Sequence, residues 1–149
     1  MREKFKDALK TAQKSQDKRR VSTLRLILAA IQDRDIANRG VGKDPVTDEE
    51  ITQILTKMVR QREESARAFE EGNRLELAEE ERREIEVIQA FLPEQFGEDQ
   101  IREACAGVVR DLGGEGLRDM GRCMNTLKER YPGRMDFGKA SGIVKELLK

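Results

Sequence analysis

Histidine and tryptophan are absent from these 149 residues, and the first absence closes off much chemistry. Without imidazole there is no Ser-His or Cys-His dyad and no histidine metal ligand. The two cysteines, Cys105 and Cys123, stand 18 positions apart with no CxxC pair, so the spacing suggests no zinc site and signals no disulfide. They read as small core residues on separate helices. Proline occurs only at positions 45, 93 and 132, and aromatic residues make up 4%. No apolar run approaches the roughly 20 residues of a spanning helix. The opening MREKFKDALK holds no apolar signal-peptide core. A soluble, cytoplasmic protein with no metal, no cofactor and no membrane contact is the expectation.

What is present is charge. Charged residues make up 39% and hydrophobic ones 37%, enough for helices that each bury one stripe. The net charge of zero hides a segregation. Residues 1–43 carry twelve Lys/Arg against five Asp/Glu, residues 44–92 seven against fourteen, and residues 93–149 ten against ten. Two readings follow. Basic and acidic helices neutralise each other side by side, or a basic face stays open to phosphates.

Phe5, Ala8, Leu9 and Ala12 recur at helical spacing, which predicts a first helix over about 2–15. Ser15-Gln16-Asp17 breaks it and caps the next. Val21, Leu24, Ile27, Leu28 and Ile31 predict a well-buried second helix that ends near Ile36 to Asn38, with Asn38-Arg39-Gly40 as its C-terminal stop. Thr47 and Glu50 form a capping box before a third helix with Ile51, Ile54, Leu55, Met58, Val59, Ala66 and Phe69 on one stripe. Gly72-Asn73, both tolerant of positive φ, ends it. A fourth helix carries Leu75, Ala78, Ile85, Ile88 and Leu92 until Pro93. Three shorter patterns follow: Ile101 to Leu112, Met120 to Tyr131, and Phe137, Ala140, Val144 and Leu147. The expectation is an all-α fold, a four-helix part over 1–92 and a small three-helix part over 97–149.

The run Ser22-Thr23-Leu24-Arg25-Leu26-Ile27-Leu28-Ala29-Ala30-Ile31 is followed by Lys57-Met58-Val59, Gln61-Arg62 and Glu64-Ser65-Ala66. Then come Gly72-Asn73-Arg74, Leu77-Ala78, Glu81, Glu84-Ile85, Phe91-Leu92-Pro93 and Asp119-Met120-Gly121-Arg122-Cys123-Met124. In this order, over more than a hundred positions, they resemble the YqeY proteins. That family is similar to the C-terminal domain of the GatB subunit of glutamine-dependent aspartyl/glutamyl-tRNA amidotransferase, where the domain helps hold the tRNA body. The resemblance implies a non-catalytic, tRNA-binding accessory module. Carbon–nitrogen ligase activity with glutamine as amido donor belongs to the larger complex. No phosphate-loop pattern and no convergent carboxylate set for Mg²⁺ stands in this sequence. The alternative is a helical adaptor that holds a protein partner.

Arg118, Arg122, Lys128, Arg130, Arg134 and Lys139 fall broadly where the resembled domain would meet the tRNA backbone; the bland reading is a solvated face balanced by Glu129 and Asp136. Arg19, Arg20, Arg25, Arg34 and Arg39 form the other basic set, some of which should pair with the acidic fourth helix. Gly113-Gly114-Glu115-Gly116 reads as a turn more readily than as an anion cradle, since Glu115 and Asp119 repel phosphate. Asp119 reads as an N-cap, Gly121 as a close-packing position, and Met120 and Met124 as core. Ser65 has no base at hand and is not read as a nucleophile. No catalytic residue is assigned.

Overall fold

A computed structural model of the chain describes every residue from Met1 to Lys149. It contains seven α-helices and no strand: α1 (Arg2–Lys14), α2 (Lys18–Gly40), α3 (Asp48–Glu71), α4 (Leu75–Gln89), α5 (Glu98–Asp111), α6 (Met120–Arg130) and α7 (Phe137–Leu148). A single 3₁₀ turn, Leu117–Asp119, precedes α6. The all-α expectation is met. The chain divides into two compact units, Met1–Leu92 and Pro93–Lys149.

In the first unit α1 and α2 form a hairpin and α3 and α4 form another. Phe5, Leu24, Ile27, Ile51, Leu55 and Ile88 lose essentially all solvent contact in its core. Each such side chain contributes roughly 1.5–3 kcal/mol of burial free energy. The Phe5 and Phe91 rings tilt against each other at 4.8 Å. The α1–α2 turn depends on Gln16, whose φ is +59°, and on Asp17, whose carboxylate accepts from the Arg20 amide at 3.1 Å.

Three local expectations need correction. Asn38 does not stop α2, which runs on to Gly40. Its buried amide instead donates to Asp44 O at 3.3 Å and to Glu50 at 3.2 Å, fixing the loop over α2. Second, α2 is buried on one face only: Leu26 and Ile36 are 47% and 57% exposed. Third, Leu75, the first residue of α4, is exposed rather than packed. The Thr47 cap is made, with its Oγ1 accepting from the Glu50 amide at 3.2 Å.

The second unit packs α5, α6 and α7 around Cys105, Val108, Cys123, Leu127, Met135, Ala140 and Val144. Its first residues are tied to the loop before α7. Phe96 N donates to Arg134 O at 2.8 Å, and Gln95 Nε2 donates to Gly133 O at 2.7 Å. Phe96 meets Tyr131 edge-on at 5.2 Å. At the end of α7 Leu148, not Leu147, enters the core. The expected stripe is one residue out of register there.

Candidate nucleic-acid interface

α1 carries Lys6, Lys10 and Lys14 at i, i+4 and i+8, which puts them on one side about 6 Å apart along the axis. All three are exposed, and Lys18 and Arg19 follow, also exposed, at the start of α2. Lys6 lies 3.7 Å from Glu3 in a solvated pair of little energetic consequence. Lys10, Lys14, Lys18, Arg19 and Arg25 enter no ion pair. Arg20 is half-buried and likewise unpaired.

The acidic fourth helix does not cover this face. Its carboxylates go elsewhere: Glu84 takes the Arg62 guanidinium of α3 at 3.0 Å, and Glu79 takes Arg83 of its own helix. Arg82 of α4 reaches back to Glu70 of α3. Of the five N-terminal arginines, Arg34 pairs with Glu50 at the start of α3 (3.4 Å), and Arg39 adds its charge beside Asp35. None of the five arginines therefore pairs with α4: Arg34 and Arg39 face carboxylates of α3 and of α2 itself, and Arg19, Arg20 and Arg25 enter no ion pair. Glu81 is left half-buried beside Glu84, and burial first, then that neighbour, pushes its carboxyl up.

In the second unit the predicted cations are brought onto its surface but largely carry structural contacts. Arg122 donates to Leu112 O at 3.0 Å and to Asp119 at 3.2 Å. Arg130 meets Asp111 at 2.9 Å. Arg134 donates to Glu94 O at 2.5 Å with its guanidinium 4.5 Å from the Phe96 ring centre. Lys128 stands 5.9 Å from the Phe137 ring centre. Arg118 and Lys139 are exposed.

The glycine loop has its own anion. Asp119 accepts from the Glu115 amide at 3.0 Å instead of capping α6, and that bond, helped by Arg122 and Arg118, holds its carboxyl below the ordinary range. Gly113 takes φ +61°, and a Cβ on Gly114 would come 2.7 Å from Leu148 Cδ2. Backbone geometry and packing thus account for both glycines. Gly121 faces open space and serves no close contact. Met120 and Met124 pack half-buried against the core. Cys105 and Cys123 are free and buried, with thiols pushed up by desolvation, which suits core residues rather than nucleophiles. No group of three or more Cys, Asp or Glu is placed to hold a metal ion.

Lys6, Lys10 and Lys14 lie outside both basic sets expected from the sequence, and their i, i+4, i+8 spacing is the signal that marks them. No helix is long and apolar enough to cross a membrane.

Comparison with known proteins bears on the whole chain. A family model described as Yqey-like protein matches residues 2–148. An uncharacterised protein of Schizosaccharomyces pombe is 33% identical over 94 residues, covering 63% of this chain and 70% of that protein. Several relatives carry the name altered inheritance of mitochondria protein 41, mitochondrial, among them the following two. The one from Pyrenophora tritici-repentis is 30% identical over 129 residues, 82% of this chain and 68% of its own length. The one from Clavispora lusitaniae is 34% identical over 84 residues, 56% of this chain and 46% of that protein, so the chain spans about half of it. With the family match running through every helix of both units, the chain belongs to the YqeY family.

Proposed function

We propose that this protein is a non-catalytic accessory module that holds folded RNA of the tRNA class by its phosphates. The observation that carries the reading is the unpaired row Lys10, Lys14, Lys18 and Arg19, in a segment where basic residues outnumber acidic ones twelve to five. Phosphate contacts need solvent-facing cations without carboxylate partners, and this row supplies them. Arg118 offers further exposed charge on the second unit. Ligase chemistry stays with the larger amidotransferase that the family resembles, since no nucleophile–base pair stands in this chain.

The test is fluorescence anisotropy with total tRNA across a salt series. Four or so phosphate contacts give a slope of log K against log salt of about −3. Lys10→Glu with Lys14→Glu should weaken binding more than tenfold and flatten the slope by about 2. Arg130→Ala should lower stability and leave affinity within about twofold. No binding at low salt at tens of micromolar protein defeats the proposal.

A further inference from the structure

The solvent face of α2 is built unlike the rest of the first unit's surface. Ser22, Leu26, Ala29, Asp33 and Ile36 recur every four and three residues, the spacing of a helix-pairing seam, and all are exposed. Two are large aliphatics, Leu26 at 47% and Ile36 at 57% exposure, and two are small, so a second helix can approach closely. The N-terminal half of this face borders an open groove of about 720 Å³, lined by Lys18, Val21, Ser22, Arg25, Leu26 and Ala29 among others. Arg25 and Asp33, flanking Ala29 at equal distance, are exposed and unpaired.

We propose that this face pairs antiparallel with the same face of a second copy, across a two-fold axis at Ala29. The occupant follows from the charge pattern. In an isologous antiparallel pair each residue meets the one equally far beyond the axis. Arg25 then meets the partner's Asp33, and this happens twice. Ile36 of the partner enters the groove over Ser22 and Leu26, and the two Ala29 residues touch. A parallel pair would set Asp33 against Asp33 and Arg25 against Arg25. The ends carry like charges, Arg19 near the partner's Arg39, which works against tight association. α2 is 23 residues long, about 34 Å, and a single helix pair buries less than the roughly 1,200 Å² of a standard interface. The dimer is accordingly weak.

Self-crosslinking reads a weak pair directly, because Cys105 and Cys123 are both buried. Under mild oxidation Ala29→Cys should give a covalent dimer at least tenfold faster than Ala106→Cys, an exposed control on α5. Ser22→Cys should not crosslink to itself but should crosslink when mixed with Ile36→Cys. In sedimentation velocity up to millimolar concentration, Arg25→Asp or Asp33→Arg should each weaken association about tenfold, and the two together should restore it. Self-linkage of Ser22→Cys overturns the antiparallel arrangement. No linkage of Ala29→Cys above the control overturns the second copy as occupant and leaves the face to another protein or to RNA.

Discussion

Arg2 and Asp35 meet in a two-point ion pair, Nη1 to Oδ2 and Nη2 to Oδ1 each at 2.6 Å. Asp35 Oδ1 also accepts from the Val46 amide at 2.8 Å, and Arg2 Nη2 reaches Val46 O at 3.4 Å. One carboxylate thus joins the start of α1, the end of α2 and the loop that leads into α3. Planar guanidinium suits this geometry and lysine would not.

This pair predicts a specific acid response. The Arg2 bond first, then the Val46 amide, hold the Asp35 carboxyl at about 2 rather than 3.8. A depressed carboxyl stabilises the fold above its ordinary value and ceases to do so as pH falls through its folded value. The contribution is therefore whole above about pH 4 and gone near pH 2. Asp35→Asn should be less stable near neutrality, and its urea midpoint should fall less steeply from pH 4 to 2. An unchanged pH slope would remove the argument.

The α3–α4 turn predicts an asymmetry between neighbours. Asn73, not Gly72, takes the left-handed conformation, with φ +58° against −82°, and the Arg74 amide closes the turn on Phe69 O at 2.7 Å. Gly72→Ala should stabilise by roughly 0.4–1 kcal/mol, since its Cβ would make only ordinary contacts, Ala68 O at 3.5 Å, Phe69 O at 3.7 Å and Arg74 Cγ at 3.9 Å. Asn73→Val should cost about 1–2 kcal/mol, and Asn73→Gly almost nothing. Thermal melts of the three variants separate these outcomes. Equal losses at 72 and 73 would contradict the turn geometry.

Gly114 and Leu148 should be energetically coupled. Leu148 is 2% exposed, and a Cβ at position 114 would press on its Cδ2 at 2.7 Å. Gly114→Ala should cost about 1–2 kcal/mol by overpacking, and Leu148→Ala about 2–3 by leaving a cavity. The added methyl partly fills that cavity, so the double variant should cost less than the sum by about 1 kcal/mol. Strict additivity in a denaturant-unfolding cycle would show that the glycine is there for another reason.

Helix positions were legible in the sequence because each short stripe and its stop are local. The Asp17 and Thr47 caps and the Asn73 turn stand where residue chemistry places them, while α4 ends at Gln89 and does not run on to Pro93. Asn38 was misread for a physical reason: its amide serves a tertiary bond to Glu50, twelve residues away, that no local pattern announces. The solvent face of α2 was misjudged because apolar residues lie on both sides of that helix, so periodicity cannot say which side is covered. The candidate interface failed to resolve for a similar reason. Arg122, Arg130 and Arg134 look free in sequence, while their carboxylate, carbonyl and aromatic partners come from other elements. Only the fold gave Glu84 of α4 to Arg62 of α3 and left Lys10 and Lys14 of α1 without an ion pair.

Thr23 gives the sharpest stability prediction. It lies on the buried face of α2 at 0% exposure, and its Oγ1 has no hydrogen-bond partner. Threonine in a helix often bonds the carbonyl one turn back, but here the hydroxyl gains nothing for its lost water. An unsatisfied buried hydroxyl costs about 1–3 kcal/mol. Thr23→Val keeps the shape and the branched β-carbon while removing the polar atom. It should raise the unfolding free energy by about 1 kcal/mol. Thr23→Ser keeps the hydroxyl and loses a methyl contact, so it should destabilise by about 1 kcal/mol. The opposite order in urea unfolding would mean that Oγ1 is satisfied in solution, and that α2 or a bound water supplies the missing partner.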